Sequence, residues 1–280
     1  MLKLKSILFM HQLAILIKTY KPDFERAKVL INSINEYNID KIPVYISVND
    51  EDYDYFQNNL NTQHTLIKDS SIYKTNVTDG WRYQQIIKTQ FYRLNVANNY
   101  LCIDSDSQFI KNFYLSDFIY SDNIPYTIMH ESKSFLETME RIDMDTETIF
   151  FKQALKATRK ILGTKGKQWD YGPSPYLWSC KVWQHFNEVF LASKNQKFED
   201  FFNDIEKTAI PSETVIYGEY LRVCNLIPIL PIEGFFKVYH YKKQFDIEKK
   251  FHDIDKLKKV YLGVIFQSNW TQKKKRFKLF

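Results

Sequence analysis

The sequence is short of glycine and cysteine and has no long apolar segment, and each shortage excludes a class of protein. Its seven glycines are scattered over 280 residues, too far apart for the G-x-G-x-x-G loop that binds dinucleotides. Cys102, Cys180 and Cys224 are odd in number and widely separated, which argues against a paired zinc motif or a disulfide framework. The longest uncharged apolar run near the start, residues 6–17, is too short to span a bilayer. No small-residue cleavage site follows it, so we expect the protein in the cytoplasm.

The net charge of +6 is concentrated at one end of the chain. From residue 237 onwards there are 13 Lys and Arg against 4 Asp and Glu, and the last ten residues combine five cations with Phe277, Leu279 and Phe280. Nucleic-acid-binding proteins more often spread their cations over the folded body, so nucleic acid is not expected as a partner. A basic, aromatic chain end suits an anionic membrane surface. We therefore predict peripheral binding to the inner face of the membrane through residues 271–280, with a solvated chain end as the alternative.

Apolar runs of strand length alternate with helical patterns over the first hundred residues. Each run ends in polar residues, which is typical of an α/β fold with a mostly parallel sheet and helices on both faces. The pattern predicts strands at 13–18, 42–48, 64–67 and 100–103, with helices beginning at 22 and covering 51–60 and 81–98.

The second half has the mixed pattern of an α+β structure. Because the chain contains no repeat and no obvious linker, we interpret residues 1–115 and 116–270 as two halves of one domain, followed by a tail at 271–280. In the second half, strands are predicted at 126–129, 175–178, 227–229 and 237–241, and helices at 147–162, 182–192 and 213–223.

Polar side chains follow three of the predicted strands at their carboxyl ends, where ligands bind in sheets of this kind. On an extended chain Asp104 and Asp106 point the same way, so both carboxylates can face one cation. A Mg²⁺ or Mn²⁺ ion held in this manner takes its other ligands from water and phosphate oxygens. Two solvated aspartates at a strand end are the alternative. The polar residues are Lys18, Thr19 and Tyr20 after the first strand, Asn49 after the second, and Asp104-Ser105-Asp106 after the fourth.

Three segments of the first half carry a family resemblance: residues 100–110 with the D-x-D motif, residues 79–88 before them, and residues 13–23 with the first strand and its turn. In these segments the chain resembles the GT-A class of nucleotide-sugar glycosyltransferases, especially bacterial enzymes of surface-polysaccharide assembly. The resemblance implies a GT-A-like fold in which residues 1–115 bind the donor and residues 116–270 face the acceptor. It further implies a UDP-sugar as donor, and a glycan or lipid-linked glycan of capsule or lipopolysaccharide assembly as acceptor.

The resemblance also implies roles for single residues on the donor side. A manganese or magnesium ion would be held by Asp104, Asp106 and a histidine near the chain end, His240, with His252 as the alternative. On the predicted helix at 81–98, Gln85 and Lys88 lie on one face that leads towards the metal loop, and we predict that they contact the donor. The remaining predicted donor contacts are Lys18, Thr19, Tyr20, Asp23, Asn49 and Ser105.

A carboxylate near the start of a late helix is the predicted general base. Such a residue is usually only a partner of the helix dipole, but inverting GT-A enzymes place their base at about this point of the chain. Glu213 is the first candidate, and Asp170, in an aromatic segment with a Gly-Pro-Ser-Pro turn, is the second. A retaining enzyme would need neither.

The sequence therefore predicts a metal-dependent glycosyltransferase. A nucleotidyltransferase would use similar acidic residues, but residues 13–23 contain no glycine for a phosphate loop. A non-catalytic module that binds membranes or nucleic acid through the basic end is the alternative outside the enzymes.

Overall fold

The computed structural model describes residues 10–121, 123–144 and 150–267, in which strands and helices alternate along the first half of the chain. The strands are β1 (His11–Thr19), β2 (Val44–Val48), β3 (Thr65–Lys68), β4 (Ala97–Asp104), β5 (Ser107–Phe109), β6 (Ile119–Ser121), β7 (Ile124–Pro125), β8 (Thr127–Ile128), β9 (Tyr176–Ser179), β10 (Pro231–Ile232), β11 (Phe236–Tyr239) and β12 (Gly263–Phe266). The helices are α1 (Phe24–Tyr37), α2 (Tyr53–Asn59), α3 (Asp69–Ile72), α4 (Gly80–Gln90), α5 (Lys133–Arg141), α6 (Phe150–Leu162), α7 (Cys180–His185), α8 (Phe198–Glu206), α9 (Glu213–Cys224), α10 (Lys242–Glu248) and α11 (Ile254–Lys258).

A five-stranded sheet in the order β3-β2-β1-β4-β9 forms the centre of the fold. The first four strands are parallel, and β9 joins β4 antiparallel. Because β9 comes from the second half of the chain, the two predicted halves share one sheet. The mixed α/β fold with a mostly parallel sheet, predicted from the apolar runs, is confirmed.

The central strand β1 is buried on both faces, which explains its unbroken apolar sequence. Leu13, Ile15 and Ile17 belong to a core cluster that includes residues of α1. Ala14 and Leu16 belong to a second cluster, on the other face, that includes residues of α4, α7 and α9. The sheet therefore separates two apolar layers, each covered by helices.

A second, smaller sheet extends the fold at the end of β4. Its order is β11-β12-β5, with β12 antiparallel to β5 and parallel to β11. The Phe109 ring of β5 stacks on Phe113 and meets Phe236 of β11 edge-on, with ring centroids 3.9 and 4.9 Å apart. These contacts tie the last described strands to the chain that follows β4.

Several predicted boundaries were wrong, and the reasons are local. The helix predicted to reach residue 98 ends as α4 at Gln90 and a 3₁₀ turn, because Asn95 adopts a left-handed conformation (φ 51°) that asparagine tolerates. The strand predicted at 227–229 is not formed; the pairing with β8 begins at Pro231. The helix predicted at 182–192 begins at Cys180 and continues beyond His185 as a π-helical turn. The start of the helix predicted from residue 147 lies outside the described residues. Helices α3, α5, α8, α10 and α11 were not predicted.

Of the helices in the described part of the chain, not one carries an apolar stretch long enough to cross a bilayer.

The tightest glycine contact in the fold lies between α9 and the ring of Tyr171. A Cβ added to Gly218 would overlap that ring, and the ring is held because its hydroxyl donates to Glu219 Oε1 at 2.8 Å. Glycine therefore permits this close approach within a helix.

We expect Gly218→Ala to lower the free energy of unfolding, measured in urea, by about 1–3 kcal/mol, because overpacking outweighs the gain in helix propensity. Gly80→Ala is the matched control, since a Cβ there meets no atom within 4 Å. Equal stabilities of the two variants would contradict the packing argument.

Candidate active site

The carboxyl ends of β1 and β4 lie side by side at the centre of the sheet. Lys18 of β1 is in register with Asp104 of β4, while β1 pairs with β2 on its other side. Ligands of open α/β sheets bind in the crevice formed where the strand order reverses in this way. The structure therefore brings the predicted residues after β1 and the D-x-D motif after β4 to one edge of the sheet.

Lys18 is buried, and its ammonium group has acceptors on three sides. Its Nζ lies 2.9 Å from Thr19 O, Asn49 Oδ1 and Asp69 Oδ2, and Asp69 also accepts from the Ser47 hydroxyl. Burial lowers the pKa of Lys18, and the Asp69 carboxylate opposes this. The ammonium has only three N–H donors, and these three acceptors occupy all of them. Lys18 and Asn49 therefore link β1, β2 and α3 beneath the crevice.

The turn after β1 contacts the D-x-D turn directly. Ser105 Oγ donates to Asp23 Oδ2 at 3.2 Å, and Arg26 Nη1 pairs with Asp23 Oδ1 at 2.7 Å. Thr19 is buried, whereas Tyr20 is 40% exposed beside this contact. A ligand in the crevice can therefore reach Tyr20 while Asp23 and Ser105 hold the two turns together.

The D-x-D motif lies on a turn and not on an extended segment. Asp104 is the last residue of β4, and Ser105 and Asp106 turn the chain into β5. The main-chain oxygen of Asp106 accepts from Phe266 N of β12 at 3.3 Å. The condition of an extended chain is not met here, because β5 leaves the central sheet and pairs with β12. The two carboxylates share a turn.

A buried lysine of α4 links the D-x-D turn to α9. Lys88 Nζ lies 2.6 Å from Asp104 Oδ1 and 3.8 Å from Glu213 Oε1. Burial alone would lower the pKa of Lys88, but Asp104 and other nearby groups, Glu213 among them, raise it well above its ordinary value. Burial raises the pKa of Glu213, which Lys88 opposes. The ammonium thus balances two carboxylates that belong to different halves of the chain.

Gln85 also supports this arrangement from within α4. Its Oε1 accepts from the main-chain N–H of Glu213 at 3.1 Å, and its side chain is buried. The N–H groups in the first turn of a helix have no partner within the helix. Gln85 therefore caps α9 from outside, whereas the side chain of Ser212 makes no capping bond.

A cavity of about 1020 Å³ opens beside these charges, walled by the second half of the chain. Tyr176 of β9 and Ser212 and Thr214 at the start of α9 lie on the side nearest Glu213. The lining also includes Gln267, next in the chain to Phe266, which bonds to Asp106. Aromatic faces and polar groups together suit a sugar-sized ligand.

Asp170, the second candidate base, lines this cavity together with two residues that the sequence analysis missed. Asp170 Oδ2 accepts from the Ser132 hydroxyl, and its Oδ1 accepts from Gly172 N at 3.0 Å. His130 Nδ1 accepts from Ser132 N at 3.1 Å. Ser132 adopts a left-handed conformation (φ 55°), which is uncommon for residues other than glycine. No motif in the sequence marks Ser132 or His130, because the three residues meet only through the bridge between residues 130 and 170.

The three predicted metal ligands are not grouped by the structure. His240 lines the cavity. Burial lowers the pKa of His240 to about 4, although the negative charge of Asp170 acts to raise the pKa of His240. The imidazole is therefore neutral near pH 7. Within the described residues, no set of three His, Cys, Asp or Glu side chains is close enough to hold a metal ion. Asp104 and Asp106 remain as a pair of oxygen donors, which suits a hard cation that takes its other ligands from phosphate and water.

Residues 7–250 match the model of a protein family described as "Family of unknown function (DUF6492)". No curated protein matches the chain.

Solved structures that are similar to this chain include three glycosyltransferases. The galactosyltransferase LgtC, in complex with donor and acceptor sugar analogues, is 10% identical at a TM-score of 0.51, and the match covers 90% of this chain and 86% of LgtC. Apo mouse xyloside xylosyltransferase 1 is 8% identical at a TM-score of 0.48, and the match covers 93% of this chain and 99% of that protein. The bifunctional glycosyltransferase WbbM is 12% identical at 0.49, covering 94% of this chain and 47% of WbbM. The similarity to LgtC shows that the chain has a GT-A-like α/β fold.

The contacts of Lys18 lead to a prediction that distinguishes a structural role of this residue from a role in ligand binding. We expect Lys18→Met to lower the free energy of unfolding by about 3–5 kcal/mol, because it leaves the Asp69 carboxylate buried without its cation. Urea unfolding measures the change, and Asp69→Asn added to Lys18→Met should recover part of the loss.

Lys28→Met is the matched control, since Lys28 forms an exposed pair with Glu25 at 3.4 Å; such pairs contribute at most about 1 kcal/mol. A Lys18→Met protein of unchanged stability that fails to bind nucleotide sugars would show instead that Lys18 contacts the ligand.

Proposed function

The chain belongs to the DUF6492 family, and we propose that it transfers a sugar from a nucleotide-sugar donor to a hydroxyl group of an acceptor. The observation that carries this proposal is the position of the Asp104-Ser105-Asp106 turn. It lies where the strand order reverses, and the cavity begins next to it, at Gln267 and Tyr176. A donor held at the turn would place its sugar at the cavity, where an acceptor can enter. The GT-A-like fold supports the proposal.

The donor half is proposed to bind a nucleotide diphosphate, with UDP-sugars as the first class to test. Tyr20 offers an exposed ring to the base, and Asp23 and Ser105 hold the turn on which the ribose would lie. Asp104 and Asp106 would hold a Mn²⁺ or Mg²⁺ ion on the diphosphate. When bound, the ion neutralises the charge that develops on the leaving group. Lys88 fixes Asp104 from behind, so its carboxylate is positioned before any ligand binds.

On the acceptor side, the structure favours Asp170 over Glu213 as the general base. Asp170 is partly exposed at the cavity wall, whereas the Glu213 side chain is only 8% exposed and faces Lys88. The Ser132 hydroxyl and Gly172 N–H fix both oxygens of Asp170, and each oxygen keeps a lone pair for an acceptor hydroxyl. The base would take the hydroxyl proton as the oxygen attacks the anomeric carbon and the nucleotide diphosphate leaves.

The acceptor is proposed to be a glycan or lipid-linked glycan of capsule or lipopolysaccharide assembly, met at the cytoplasmic face of the membrane. The basic end at 271–280, predicted to bind that surface, lies outside the described residues.

Asp106→Asn tests the metal-dependent reaction. We expect the variant to lose most of its transfer and donor-hydrolysis activity with Mn²⁺ present, with an unchanged unfolding transition, because Asp106 serves the ion and not the core. A panel of nucleotide sugars assayed with Mn²⁺, and again with excess EDTA, measures this.

Asp204→Asn is the control, since it removes the same charge from an aspartate that pairs with Lys207 on α8. Full activity of Asp106→Asn, or of the wild type in EDTA, would contradict metal dependence.

Asp170→Asn and Glu213→Gln together test the base. Asp170→Asn should lower transfer by about 10²–10⁴-fold while donor binding survives, because the acceptor hydroxyl loses its proton acceptor. Glu213→Gln should be affected much less, since its side chain is turned to Lys88. Titration calorimetry of the donor and the rate of transfer are measured on both proteins.

The reverse order of effects would make Glu213 the base. Transfer unaffected in both variants would contradict the need for a single base and favour retention of configuration.

A further inference from the structure

The outer face of α10 carries lysines beside exposed apolar side chains. A groove of about 660 Å³ runs along it, lined by Lys242, Lys243, Asp246, Ile247, Lys250 and Phe251. Ile247 is 40% and Phe251 66% exposed. Lys243 and Ile247 lie one turn apart on α10, and Lys250 and Phe251 follow in the turn after the helix. Apolar side chains rimmed by cations are the pattern of a surface that enters a lipid interface.

Lys242 and Lys250 are available to anionic partners, whereas Lys243 donates to Ile142 O at 2.7 Å and pairs with Asp143 at 3.3 Å. The pairs of Lys242 and Lys249 with Asp246 are exposed and local, and such pairs are weak. Within the described residues, Lys250 has no carboxylate partner. Residues 242–260 carry seven lysines against four acidic residues, whereas residues 1–241 carry 27 cations against 29 anions. The positive charge of the described fold is therefore concentrated at this end.

The same helix forms a wall of the cavity on its other side. Tyr241 and Gln244 line the cavity, while Lys242, Lys243 and Ile247 line the outer groove. Gln244 is locked to β11, because its Oε1 accepts from His240 N at 2.9 Å and its Nε2 donates to Val238 O at 3.1 Å. What binds the outer face is thus rigidly placed with respect to the cavity.

We propose that the outer face of α10 and the turn that follows it, defined by Lys242, Lys243, Ile247, Lys250 and Phe251, dock the protein on an anionic bilayer. Phe251 and Ile247 enter the interface, and the lysines pair with lipid phosphates. Docking does not depend on the tail at 271–280. The consequence for the acceptor rests on the proposed function: the cavity would lie next to the bilayer, where a lipid-linked acceptor is found.

The test uses the full chain and vesicles of phosphatidylcholine alone or with 30% phosphatidylglycerol. We expect flotation with the anionic vesicles only, and release at high salt because screening weakens the phosphate contacts. Ile247→Ser with Phe251→Ser, and separately Lys242→Gln with Lys250→Gln, should each weaken binding at least tenfold. A protein without residues 271–280 should still bind the anionic vesicles. The same substitutions made in this truncated protein should abolish its binding.

Val189→Ser and Lys28→Gln are the controls, since they change an exposed apolar residue and an exposed lysine on other helices, and both should bind as the wild type. Thermal unfolding checks that every variant is folded. The proposal is overturned if the Ile247/Phe251 variant binds like the wild type, if neutral vesicles bind equally, or if the substitutions instead dissociate an oligomer of the chain. Hydrolysis of a soluble nucleotide sugar should be unchanged in all these variants, so a failure of docking is distinguishable from a failure of the proposed reaction.

Discussion

The buried ammonium of Lys88 is the interaction on which the candidate site depends. It lies between a carboxylate of β4, Asp104, and one of α9, Glu213, so a single cation balances residues from both halves of the chain. A buried carboxylate without a partner is costly, and the position of α9 is therefore coupled to that of the D-x-D turn. Gln85, one turn earlier on α4, adds a second link by capping α9. The helix α4, predicted to contact the donor, thus links the D-x-D turn to the start of α9.

The walls of the cavity come from the second half of the chain, whereas the parallel sheet comes from the first half. The four parallel strands end at β4, and β9 is added antiparallel to β4 at that edge of the sheet. The segments after β9, and the bridge between His130 and Asp170, close a space that the sheet alone does not enclose. Asp170 and Ser132 are fixed by hydrogen bonds across this bridge. A general base in a proposed transferase needs such fixed placement.

The uneven charge of the chain has a structural counterpart. Residues 242–260, which include α10 and α11, carry 7 cations against 4 anions, a net charge of +3, whereas residues 1–241 carry 27 against 29, a net charge of −2. Because α10 separates the basic outer groove from the cavity, the surface proposed to face lipid and the space proposed to face the acceptor are two sides of one helix.

The sequence by itself determined the central sheet and the end of its strands at which a ligand is proposed to bind. Burial on both faces demands unbroken apolar strands, and these can be recognised one strand at a time, as β1 and β4 were. What depends on distant pairing was decided only by the tertiary structure. The D-x-D motif became a turn because β5 pairs with β12, some 155 residues later along the chain. Lys18, Asn49 and Gln85 have the residue types of ligand contacts, but each has a partner within the protein. Lys18 pairs with Asp69 and donates to Asn49, and Gln85 accepts from the main-chain N–H of Glu213. Ser132 and His130 could not be found from any local pattern, because their contact with Asp170 exists only once residues 130 and 170 are brought together.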